Sequence, residues 1–122
     1  MQRFSMGALV AMLGLATATP AFAHAHLSAA EPAAEASVAT LPRMLRLHFT
    51  EALELAFSGV RVTGPDGAPL ATGAASLAPD DAKTLIVPMP QTHATGPYLV
   101  EWHVLSTDSH TTHGSYRLTV TP

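Results

Sequence analysis

The sequence predicts an all-β domain, a sandwich or Greek-key barrel of short strands, behind an N-terminal export segment. Three observations predict it. Apolar and polar residues alternate in several short runs, the period of two that marks half-buried strands. Proline and glycine, 10 and 8 among 122 residues, punctuate those runs. Beyond the N-terminal segment no long stretch keeps the 3.6-residue apolar period of a helix.

The N-terminal segment comes first. Residues 1–5 carry Arg3, and residues 6–16 are mostly apolar. Thr17, Thr19 and Pro20 break the run, and Ala21-Phe22-Ala23 places small residues at −3 and −1 of a cut before His24. That is the order of a cleaved signal peptide. The apolar run falls short of the ~20 residues a spanning helix needs, which argues against an uncleaved anchor. Ala23-His24-Ala25 has the same A-x-A form, so a cut before His26 stays open. No cysteine stands at the cut, which excludes a lipoprotein. The expected layout is a signal peptide over 1–23 and one domain over 24–122.

The strands follow in order. Leu45, Leu47 and Phe49 alternate with Arg46, His48 and Thr50. Val60 and Val62 alternate with Arg61 and Thr63. Residues 83–89 read as a strand centred on Leu85 and Val87. Tyr98, Val100, Trp102 and Val104 share one parity, with Glu101 and His103 on the other. Tyr116, Leu118 and Val120 alternate with Arg117 and Thr119. Gly64-Pro65-Asp66-Gly67 is a turn between two strands, Ala78-Pro79-Asp80-Asp81 a loop, and Thr95-Gly96-Pro97 turns into the Tyr98 strand. The Ala-, Glu- and Pro-rich residues 29–42 suggest an extended first strand and a loop rather than a helical turn.

Composition narrows the function. The chain holds no cysteine, so an exported domain of this size rests on its core, or on its core plus a metal. The net charge of −3 and the absence of a basic run argue against nucleic acid as a partner. No second apolar stretch is long enough to span a membrane.

A cut after Ala23 would give His24 a free α-amine beside its own imidazole and that of His26. An N-terminal histidine can chelate through amine and ring together. These are borderline nitrogen donors, suited to Cu(II), Ni(II) and Zn(II). The alternative is two histidines falling near a cleavage site by chance. Asp108-Ser109-His110 follows the Tyr98 strand. Residues two apart in extended chain point to one side, so Asp108 and His110 can aim a carboxylate and an imidazole at one point. Alone, such a pair is more often part of a solvated loop. In a sandwich, however, the first strand and a strand-to-strand loop can meet at one end.

Other residues weigh less. His113 offers an alternative ligand or a partner behind the ligands. His48 and His103 have polar parity and are expected on the surface, as is His93 in its loop. Glu51 follows a strand end and could accept a hydrogen bond from a ligand, and Trp102 has core parity. After Ala23 only Met44 and Met89 remain, so soft sulfur donors for Cu(I) are few. Among divalent ions the Irving–Williams order favours Cu(II), with Zn(II) the competitor. No nucleophile elbow, zinc-protease helix or phosphate-binding loop is present.

Several blocks together resemble a known family. His24-Ala25-His26-Leu27, Leu47-His48-Phe49-Thr50-Glu51, Phe57-Ser58-Gly59 and the run from Glu101 to His110 are similar to the periplasmic CopC copper-resistance proteins, especially their short YobA-like branch. The resemblance spans essentially the whole chain after Ala23. It implies an immunoglobulin-like or cupredoxin-like Greek-key barrel of about seven strands. It implies one Cu(II) ion held by His24 through amine and ring, by Asp108 and His110, and by His26 in members that begin His-x-His. Members with a Cu(I) site carry a methionine-rich loop, which this chain does not. The implied role is periplasmic copper capture, buffering or delivery by a monomer, without catalysis, often alongside a CopD-like inner-membrane protein. Two other readings remain: a copper monooxygenase built on a histidine brace, and a β-sandwich interaction module with incidental histidines.

Overall fold

The computed structural model describes residues 24–92 and 94–122. The expected signal peptide over 1–23 and His93 lie outside them. Among the described residues, eight strands form two four-stranded sheets. They are β1 (Leu27–Glu31), β2 (Ser37–Val38), β3 (Met44–Phe49), β4 (Gly59–Thr63), β5 (Ser76–Ala78), β6 (Asp81–Pro88), β7 (Gly96–Leu105) and β8 (Thr111–Val120). One sheet runs β1-β3-β6-β5, the other β2-β8-β7-β4. The chain changes sheets between β1 and β2, and β2 pairs with β8 in parallel.

The alternating runs form the core. Leu45, Leu47 and Phe49 of β3 and Leu85 and Val87 of β6 face Val62 of β4, Tyr98, Val100, Trp102 and Val104 of β7, and Tyr116, Leu118 and Val120 of β8. Burial of such side chains contributes about 1.5–3 kcal/mol each, the main force holding a domain without disulfides. Phe49 meets Trp102 edge-on across the sandwich, with centroids 5.1 Å apart. The Trp102 ring lies across Gly114, where a Cβ would collide with it.

The predicted turns form as well. Gly67 (φ 81°) and Gly96 (φ 121°) take backbone conformations that side chains disfavour. Two differences from the sequence reading are local. A single 3-10 turn, Leu55–Phe57, precedes β4, and it leaves Phe57 67% exposed. His48, expected on the surface, is half-buried, because Thr84 of β6 and Glu31 of β1 close over its ring. No helix among the described residues is long and apolar enough to cross a membrane.

The register decides what meets at one end of the sandwich. Leu27 at the start of β1 pairs with Phe49 at the end of β3. Leu105 at the end of β7 pairs with Thr111 at the start of β8. The residues before β1, after β3 and between β7 and β8 therefore share one rim.

Candidate metal centre

Residues 24–26 are fastened to that rim by hydroxyl groups. Thr50 accepts a hydrogen bond from the His26 amide at 2.9 Å and donates to the His24 carbonyl at 3.2 Å. Its own amide donates to the His26 carbonyl at 2.9 Å. From the other sheet, the Thr112 hydroxyl donates to the Ala25 carbonyl at 2.6 Å. Ala25 is fully buried and belongs to the core. The segment thus enters the rim in a defined direction, with His24 half-buried and His26 exposed.

The loop between β7 and β8 is closed by Ser106. This residue is 1% exposed. Its amide donates to the His110 carbonyl at 3.0 Å, and its hydroxyl lies within reach of both that carbonyl and Asp108 Oδ1. Ser109 adopts φ 73° and donates its amide to the Ser106 carbonyl. The loop is tied to the segment after β3 by Thr107, which donates to the Ala52 carbonyl at 3.0 Å.

These constraints bring the predicted residues together. The His24 and His110 rings stand 4.4 Å apart between centroids, their planes crossing at 82°. The His26 ring is 6.4 Å from that of His24. His110 Nδ1 lies 3.3 Å from Asp108 Oδ1, which leaves Nε2 as the ring's nitrogen for a ligand. The Ser106 hydroxyl, followed by the His110 ring, holds the Asp108 carboxyl below the usual carboxylate range, so it is ionised at neutral pH.

The donor set fits a borderline divalent ion. With metal–nitrogen bonds of about 2.0 Å, two imidazoles whose bonds to one ion meet at about 90° have centroids about 4.5 Å apart, whatever the tilt of their planes. The His24–His110 spacing matches that value. Among the described residues, no three His, Asp or Glu side chains are already gathered as a closed ligand set. In the full-length chain the His24 nitrogen is still a peptide nitrogen, so a set completed by its amine is not formed.

Not every candidate joins the group. His113 points outward on β8, paired across the hairpin with the exposed His103, and is not part of the rim. Thr50, Ser106 and Thr112, which position the candidate ligands, carried no signal of their own in the sequence. Thr50 and Ser106 did stand inside the motif blocks.

A cupredoxin-like β-barrel whose rim places His110 beside both His24 and Asp108 is the class that this fold and site define. The chain belongs to the CopC family: the CopC domain model matches residues 27–121. It is 41% identical over 112 residues to protein YobA of Escherichia coli K12, covering 91% of this chain and 90% of that protein. It is 33% identical over 117 residues to copper resistance protein C of Pseudomonas syringae pv. tomato, covering 92% and 86%. The crystal structure of CopC from Methylosinus trichosporium OB3b superposes with a TM-score of 0.74 and 32% identity, over 81% of this chain and 95% of that one. PcoC from Escherichia coli, described as a methionine-rich copper resistance protein, gives 0.71 and 30%, over 81% and 100%.

Proposed function

We propose that this protein is an exported, periplasmic copper-resistance protein that captures Cu(II) without catalysis, as a monomer carrying one ion at the rim. The signal peptide would be residues 1–23, and its removal would supply the last donor. The ligands would be the His24 amine and ring, the His110 ring, Asp108, and the His26 ring. The carrying observation is that the His24 and His110 rings stand 4.4 Å apart between centroids, a spacing that suits one ion.

Each residue has a physical task. The imidazoles and amine give the tetragonal nitrogen donors that Cu(II) prefers. The ionised Asp108 offsets part of the ion's charge and orients the His110 ring. The hydroxyls of Thr50 and Thr112 hold the chain entry so that the ligands need little reordering. The cut before His24 is supported by Ala25: cutting before His26 instead would remove a fully buried residue and the carbonyl that Thr112 bonds.

Copper capture is further supported by the names of the relatives, copper resistance protein C and PcoC. The methionine-rich description of PcoC contrasts with this chain, where only Met44 and Met89 follow Ala23. This supports a Cu(II) site without a Cu(I) companion. A CopD-like membrane protein is the proposed partner for onward transfer.

The test is calorimetric titration of Cu(II) into the chain beginning at His24, with and without Asp108→Ala and His110→Ala. Loss of tight binding in the double variant is the expected result. Unchanged binding would reduce the site to incidental chelation at the terminus. Sustained, substrate-coupled oxygen consumption with ascorbate would instead support a monooxygenase.

A further inference from the structure

The outer face of the β7–β8 hairpin carries two histidines that the rim does not use. His103 and His113 are direct partners in the antiparallel register, and both are exposed. Directly opposed residues hold their Cβ atoms about 4.5–5.5 Å apart on one face, a spacing two imidazoles can bridge through a single ion. Glu101, two residues before His103, lies on the same face. These three side chains, with Arg61, Trp102 and Gly114, line one surface depression of about 230 Å³.

The His103 ring is parked towards β4. It lies over Gly59, where a Cβ would come within 2.9 Å of its Cε1. Rotation about its side-chain torsions turns it towards β8, and such flips of exposed side chains take ps to ns. The strand register stays as it is. Arg61 is the register partner of Glu101 across β4 and β7, so an arginine shares this face with that carboxylate. The two imidazoles are therefore the donors, and Glu101 adds nearby negative charge.

We propose that His103 and His113 form a second, outward-facing site for a borderline divalent cation, with Glu101 as the adjacent carboxylate. Imidazole donors suit Cu(II), Ni(II) and Zn(II), and Cu(II) binds tightest of these. Water completes the coordination. Both ligands come from one hairpin, so the site needs neither signal cleavage nor residues 24–26. It is weaker than an amine-containing site and fills after it.

The test uses Cu(II) itself, followed by calorimetry and electron paramagnetic resonance. Three forms of the chain beginning at His24 are compared: the unaltered sequence, Asp108→Ala with His110→Ala, and His103→Ala with His113→Ala. The expected result is a second, weaker equivalent in the unaltered chain. It persists in the Asp108/His110 variant and vanishes in the His103/His113 variant, whose first equivalent is unchanged. His103→Gln alone gives the same loss, and Trp102 fluorescence reports that the variants remain folded. Uptake of a single equivalent by the unaltered chain would overturn the proposal. So would a second equivalent that survives the His103/His113 substitutions.

Discussion

The Thr112 hydroxyl donates to the Ala25 carbonyl at 2.6 Å, joining the start of β8 to a residue 87 positions earlier. This bond and those of Thr50 fix where the two flanking histidines enter the rim. Thr112→Val keeps the shape of the side chain and removes the donor. Left unpaired, the carbonyl costs about 1–3 kcal/mol of stability. The proposed Cu(II) site should weaken by about 10–100-fold, the usual scale for a residue that orients ligands. Competition titration against a chromophoric chelator, beside a denaturant curve, measures both. Full affinity in a chain that has lost stability would separate this bond from the site.

Cu(II) uptake by the rim should depend steeply on pH, because imidazole and amine must shed protons to bind. Affinity at about pH 4.5 should be far below that at about pH 7.5. Equal affinities by calorimetry would rule out the nitrogen ligands.

Asp81 provides a pH dependence that does not involve metal. Its carboxylate accepts from the buried Thr84 hydroxyl at 2.7 Å and from the Lys83 amide at 3.0 Å. The Thr84 bond, then that of Lys83, lowers its pKa. A lowered folded-state pKa means stability that is complete above the unfolded value, about 3.9, and lost as pH falls through the folded value. Asp81→Asn should therefore flatten the acid limb of a stability–pH curve below about pH 4 and leave its shape at neutral pH unchanged. An acid limb identical to that of the unaltered chain would show that these bonds do not favour the ionised form.

Tyr116 and Gly114 test the core. The Tyr116 hydroxyl is buried without a hydrogen-bond partner among the described residues, and burial pushes its pKa up to about 12. Tyr116→Phe should match the original stability or exceed it by up to about 1 kcal/mol. Gly114→Ala drives a methyl into the Trp102 ring and should cost about 1–3 kcal/mol. Thermal unfolding reads both. A destabilised Tyr116→Phe or a neutral Gly114→Ala would contradict this packing.

Much of the fold was legible because burial in a sandwich imposes a period of two. Leu45, Leu47 and Phe49, and the four inward residues of β7, announce their strands by alternation. β2 and β5 span two and three residues, too short for a period to develop. The turn Leu55–Phe57 is three residues long, too short to show a helical period, and its apolar residues stay outside the core. Of the proposed ligands, His24 and His110 could be read from their motifs and are neighbours in space. The hydroxyls of Thr50, Ser106 and Thr112 could not, since a threonine or serine at or beside a strand end looks the same in sequence whether it faces water or a carbonyl. His113 needed the β7–β8 register, which places it beside His103 rather than on the rim.

The central claim is that cleavage before His24 creates the chelating amine. Its most direct test compares the Cu(II) electron paramagnetic resonance spectra and affinities of two chains, one beginning at His24 and one with a single alanine added before it. A changed spectrum and a weakened affinity in the extended chain are the predicted result. Identical spectra and equal affinities would contradict the account.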